Sequence, residues 1–115
     1  MKNQKRDSIK IHAVDVDLTL TKETCWTIEE ALAATPNQLN IDYYNSLYDA
    51  RHFIIIYTAR PWNMCEATIR WLNKVGVKWN AIMMEKMPAD FYHDDKAVLP
   101  PSMKKVEKKE SKLKK

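Results

Sequence analysis

The stretch "IHAVDVDLTLT", residues 11–21, runs apolar through Val14 and then places Asp15 and Asp17 two residues apart. Short apolar runs that close on polar groups read as buried strands ending at a sheet rim. Two carboxylates that close repel each other, so a metal, a shared proton or solvent must compensate them. Working outward, "SIKIHAV" (8–14) is the strand that delivers them, and "FIIIY" (53–57) is a second, β-branched and aromatic. "WNAIMM" (79–84) and "DFYH" (90–93) are weaker strand signals. Runs this apolar, without strict alternation, suit a parallel sheet covered on both faces.

Helical patterns lie between the strands. Residues 36–50 carry Pro36 near their start and Leu39, Tyr43 and Leu47 at i+4 spacing. Residues 62–75 place Met64, Ala67, Thr68, Trp71, Leu72 and Val75 on one stripe. Pro61 stands where that helix begins, and Gly76, the single glycine of the chain, stands where it stops. The excursion 20–35 has room for a short helix at "WTIEEALAA" and none for a second domain. Strands alternating with helices define an α/β fold with right-handed crossovers and a parallel sheet.

At 115 residues with 45% apolar and 30% charged side chains, the chain has the composition of one globular domain. No apolar run approaches the roughly 20 residues of a membrane span, and the polar start "MKNQKRDSIK" has no signal-peptide core. The expectation is a cytoplasmic protein without a membrane partner. Cys25 and Cys65 belong to no metal-binding pattern and are expected as reduced thiols. The net charge of +4 is uneven: residues 1–10 hold +3 and residues 102–115 hold +5, leaving −4 for residues 11–101. The body is expected as one domain over 1–101, followed by a solvated basic tail over 102–115.

In open α/β sheets, ligands bind beyond the carboxyl ends of the strands. There the sequence puts Asp15, Asp17 and Thr19 after the first strand, then Thr58 and Arg60 after the second. Glu85 and Lys86 follow the third, and Asp94, Asp95 and Lys96 follow "DFYH". Several carboxylates in one crevice call for a cation, and hard oxygen ligands select Mg²⁺. A lysine and a threonine hydroxyl could hold phosphate oxygens while one carboxylate attacks phosphorus and its neighbour moves the proton. This points to phosphoryl transfer. Arg60 could grip a phosphate or pair with an acidic neighbour. Trp26 and Trp62 flank the same rim, where they could stack on a sugar or base or simply pack.

In this order, "DVDLT", "IIIYTAR", Lys86 of "MEKMPADFYHDDKAV" and the Asp94–Asp95 pair, the chain resembles the haloacid dehalogenase superfamily of phosphotransferases. The likeness covers residues 9–99 and is closest to small capless members found in polysaccharide-biosynthesis clusters and phage genomes. It implies a three-layer Rossmann-like sheet and a Mg²⁺-dependent phosphomonoesterase acting on a small phosphorylated metabolite, a sugar phosphate or a nucleotide. By this likeness Asp15 is the nucleophile and a Mg²⁺ ligand. Asp17 is the general acid/base and binds the metal through its backbone carbonyl. Thr58 and Lys86 bind phosphate, and Asp94 and Asp95 complete the metal site. Two departures stand out: Leu18 occupies a position where the family commonly has glycine, and residues 20–35 form at most a small flap in place of a cap. An uncapped site also makes a homo-oligomer an expectation. Competing readings are a non-catalytic phosphate-binding module of the same fold and a phosphatase of nucleic-acid ends tethered by the basic tails. A receiver-like signalling domain is opposed by the order of the acidic motifs, since here the DxD comes first and the acidic pair last.

Overall fold

The computed structural model describes residues 9–103. Strand β1 (Ile11–Val14) pairs with β2 (Phe53–Tyr57), and β2 pairs with β3 (Ala81–Met83), all parallel and in the order β1-β2-β3. Helix α1 (Ile28–Ala33) and helix α2 (Gln38–Asp49) lie between the first two strands, and α3 (Cys65–Lys74) lies between the second and third. The expected α/β alternation is thus present. Single 3₁₀ turns span Trp62–Met64 and Pro101–Met103.

The strand order advances in one direction, and right-handed crossovers then place their helices on the same face of the sheet. Val14, Ile54 and Ile56 point to that face and are buried with Ile41, Trp71 and Leu72. Ile11, Phe53 and Met83 point to the other face and are exposed, Ile11 at 71%. The described residues therefore form two layers, and the third layer implied by the resemblance is not among them. "DFYH" also differs from expectation. Residues 90–93 are exposed and unpaired, and Tyr92 instead closes a local loop, donating to the Met87 carbonyl at 2.7 Å and accepting from Ala89 N–H at 3.1 Å. The start of the expected tail touches the body. Ser102, the first residue of the expected tail, exchanges two hydrogen bonds with the buried Asn40 side chain. Residues 104–115, which carry the tail's charges, lie outside the described residues.

Local chemistry explains the element ends. Thr27 and Glu30 form a reciprocal capping box at the start of α1. Gly76 at φ +84° ends α3, with Gly76 N–H on Asn73 and Val77 N–H on Leu72, so the sole glycine closes a Schellman motif. Helix α2 ends in the same way without one. Arg51 N–H reaches Tyr48 and His52 N–H reaches Leu47, with Arg51 held at φ +75°. A side chain in that region costs about 1–2 kcal/mol. Arg51 is exposed, so Arg51→Gly is expected to raise stability by about 1 kcal/mol in urea unfolding. A decrease would mean that the arginine makes contacts worth more than the backbone strain.

Candidate functional site

The turn after β1 is built around one carbonyl. Thr19, Leu20 and Thr21 N–H groups all lie within 3.2 Å of Val16 O, and Leu18 N–H donates to Thr21 Oγ1 at 3.1 Å. This tight coil forces Leu18 to φ +64°, which explains why glycine suits the position; the leucine side chain escapes by pointing into solvent. The coil leaves Asp15 and Asp17 on either side of buried Val16, both facing the carboxyl rim of the sheet.

The two carboxylates have different partners. Asp15 Oδ1 accepts from Val16 N–H at 2.8 Å, and Asp15 Oδ2 lies 3.6 Å from Lys86 Nζ. Burial pushes the Asp15 carboxyl above its ordinary range, against the opposing pull of the Lys86 ammonium and the Val16 N–H, and with Asp17 adding to the rise. Asp17 instead forms a fork with Arg60: Nε to Oδ2 at 3.1 Å and Nη2 to Oδ1 at 2.9 Å, with Cys25 N–H also on Oδ1 at 3.0 Å. Arg60 is 3% exposed, and its remaining Nη1 donates to Thr68 Oγ1 at 2.9 Å. Of the two roles open to Arg60, the structure gives it the acidic neighbour. Thr68, read as part of an apolar stripe, is the hydroxyl that completes the guanidinium's partners.

Thr58 is brought to the rim but not to the cleft. It is fully buried, and its Oγ1 accepts from Arg60 N–H at 3.2 Å. Its backbone does the positioning: Thr58 N–H binds Met83 O, and Lys86 N–H binds Thr58 O at 2.9 Å. Together with Glu85 at φ +62°, these bonds turn the chain after β3 so that Lys86 reaches back to Asp15. The Lys86 ammonium also sits 5.1 Å from the Tyr57 ring centre and 4.9 Å from that of Tyr92, a cation held between two π faces. Sequence reasoning missed both tyrosines. Tyr57 could have been found from strand parity, since it follows buried Ile56 and precedes Thr58. Tyr92 could not, because the loop that carries it over Lys86 has no local signature.

A cleft of about 450 Å³ opens onto Asp15, Asp17, Arg60 and Lys86 and is walled by Trp26 and Tyr92 among others. Asp94 and Asp95 are exposed and do not line it. Lys96 N–H and the Asp95 side chain hold the Asp94 carboxyl below its ordinary range, as in a solvated local turn. Among the described residues, no three His, Cys, Asp or Glu side chains are grouped to hold a metal ion. As placed, Asp94 and Asp95 do not join Asp15 where the resemblance puts the Mg²⁺ site. The Asp17 side chain is paired with Arg60, which leaves untouched the backbone carbonyl that the resemblance gives to the metal, and the acidic pair stands outside the cleft. His12 and His93 take no part. His12 lies half-buried in β1 with its ring edge-on to His52, and burial then His52 lower its pKa; His93 is exposed beside Phe91. Trp62 is exposed and lies outside the cleft.

No family model and no curated protein matches this chain. A crystal structure of a structural-genomics target from Vibrio cholerae resembles it at a TM-score of 0.69 and 24% identity, over 91% of this chain and 99% of that one. The likeness supports an α/β fold for the chain. Among the described residues, no helix is long and apolar enough to cross a membrane.

Proposed function

We propose that the chain is a phosphomonoester hydrolase of the haloacid dehalogenase type that acts through an aspartyl-phosphate on Asp15. The observation that carries this reading is the convergence of three loops on one carboxylate. Asp15 follows β1, Lys86 follows β3 and contacts Asp15 at 3.6 Å, and Thr58 at the end of β2 supplies the backbone bond that sets Lys86 in place. A phosphate drawn to the Lys86 ammonium would lie against Asp15, with charge stabilisation concentrated where the phosphoryl group passes. The Asp15 oxygen forms a bond to phosphorus as the bond to the leaving oxygen breaks. The leaving oxygen takes a proton, and the water that cleaves the acyl phosphate gives one up; the resemblance assigns both transfers to Asp17, which would have to leave its fork with Arg60 to make them. In the structure Arg60 and the Cys25 N–H hold both oxygens of Asp17.

The test is phosphate release from p-nitrophenyl phosphate, sugar phosphates and nucleotides, each with Mg²⁺ and with EDTA. Turnover on none of them by folded protein would sink the hydrolase reading and favour a phosphate-binding module. The metal arm decides the place of the acidic pair. Equal rates in EDTA would leave Lys86 and Arg60 as the cations of the site. A Mg²⁺ requirement abolished by Asp94→Asn or Asp95→Asn, which the resemblance favours, would mean that residues 90–96 move to Asp15 during catalysis.

A further inference from the structure

The cleft has two kinds of lining. Asp15 and Lys86 supply charged groups, and Trp26, Pro61, Met64 and Pro88 supply apolar surface. Thr24 apart, polar side chains free to address a polyhydroxylated leaving group are scarce in this lining. Asp17 and Arg60 are committed to each other, and the Tyr92 hydroxyl already accepts from Ala89 and donates to Met87. Trp26 is the unusual member. Its backbone is fixed, because Trp26 N–H donates to Glu30 Oε1 at 2.7 Å within the capping box of α1. The loop bearing it is tied down by the Trp71 Nε1–H bond to Ala34 O and by an antiparallel bridge between Thr21 and Pro36. Yet its side chain is 80% exposed, whereas Trp71 is buried and Trp79 donates its ring N–H to Asn73. A rigidly mounted, solvent-facing indole beside the proposed phosphate end is a stacking platform without a partner among the described residues.

We propose that the cleft takes a phosphomonoester with a flat aromatic leaving group, the phosphate at Lys86 and Asp15 and the ring against Trp26. This rests on the assignment of the phosphate end made above and narrows its substrates from small metabolites in general to aromatic ones. The volume of about 450 Å³ lies in the range of small-molecule sites. Stacking on an aromatic side chain is sequence-tolerant, so nucleobases as a group and simple aryl esters share the required chemistry.

Binding is measured by calorimetry on the full chain carrying Asp15→Asn, so that turnover does not consume the ligand. The probes are AMP, CMP, phenyl phosphate, ribose 5-phosphate and inorganic phosphate. AMP, CMP and phenyl phosphate are expected to bind at least about tenfold more tightly than ribose 5-phosphate. Adding Trp26→Ala is expected to weaken the aromatic ligands about 5- to 100-fold and leave inorganic phosphate unchanged, while Trp26→Phe keeps most of the affinity. Tight nucleotides with weak phenyl phosphate would narrow the class to nucleotides. Ribose 5-phosphate binding as well as AMP, or AMP affinity indifferent to Trp26→Ala, would overturn the proposal. Turnover by the unsubstituted chain separates the two readings. Trp26-dependent binding of AMP without any phosphate release sinks the hydrolase and keeps the aromatic site. Release confined to sugar phosphates does the reverse.

Discussion

The Asp15→Asn protein is expected to release phosphate at least about 10³-fold more slowly than the unsubstituted chain from every substrate that the latter turns over. An amide cannot form the acyl phosphate, and among the described residues no other carboxylate is paired with Lys86. The same substitution is expected to raise the melting temperature in metal-free buffer at neutral pH. Burial lifts the folded-state pKa of Asp15 above its ordinary value, so between the two values the folded chain binds more protons than the unfolded one. Its contribution to stability is then neutral below the unfolded value, and it becomes a penalty as pH rises through the folded one. Asparagine removes the penalty, so the stability gain should fade on acidification toward pH 4. Melting curves of both proteins from pH 4 to pH 8 provide the check. A lower melting temperature for Asp15→Asn at pH 7 would mean that its ion pair with Lys86 outweighs desolvation. Retained turnover would remove Asp15 from the chemistry altogether.

The second large effect falls on Arg60. Its side chain is 2% exposed and that of Asp17 20% exposed, and they share two hydrogen bonds. Removing one member of such a pair leaves a charge without its counter-charge in a site that water reaches poorly. Buried pairs broken this way cost about 3–5 kcal/mol, and the partial exposure of Asp17 brings Arg60→Met to about 2–4 kcal/mol. Asp17→Asn should cost more, because the guanidinium that it strands is the more deeply buried partner. Arg60→Lys is not expected to rescue either function or stability, since an ammonium cannot reproduce the fork or reach Thr68 as well. The double substitution Asp17→Asn/Arg60→Met should recover part of the loss, the mark of two residues acting as one unit. Urea unfolding of the four variants measures this directly. Strictly additive losses would show that the pair contributes nothing beyond its separate packing.

These effects trace to features of unequal legibility in the chain. The periodicity of residues 62–75 and the lone glycine after them predicted α3 and its end, because both are local: a stripe that one helix must bury and a φ that one residue can adopt freely. "IHAV" and "FIIIY" read as parallel strands for the same reason, apolar runs short enough to be strands, although only one face of each, with Val14, Ile54 and Ile56, is buried. From these, the placement of Asp15, Asp17, Thr58 and Lys86 at one rim followed by topology alone.

What the sequence by itself determined is which chemical groups gather at the carboxyl ends of the strands. What only tertiary structure decided is how they pair. Asp15 and Asp17 are equivalent in a string of letters, but the coil around the Val16 carbonyl sends one toward Lys86 and the other toward Arg60. Thr58 looked like a phosphate ligand and became a buried hydroxyl that steadies the turn carrying Arg60. Asp94 and Asp95 looked like metal ligands and stand in an exposed loop. Pairing depends on distances set by loops whose conformations come from long-range hydrogen bonds, and no short-range pattern encodes those. The strand ends are fixed by local apolar burial, whereas the partners of a charge are fixed by whichever opposite charge the completed fold leaves within reach.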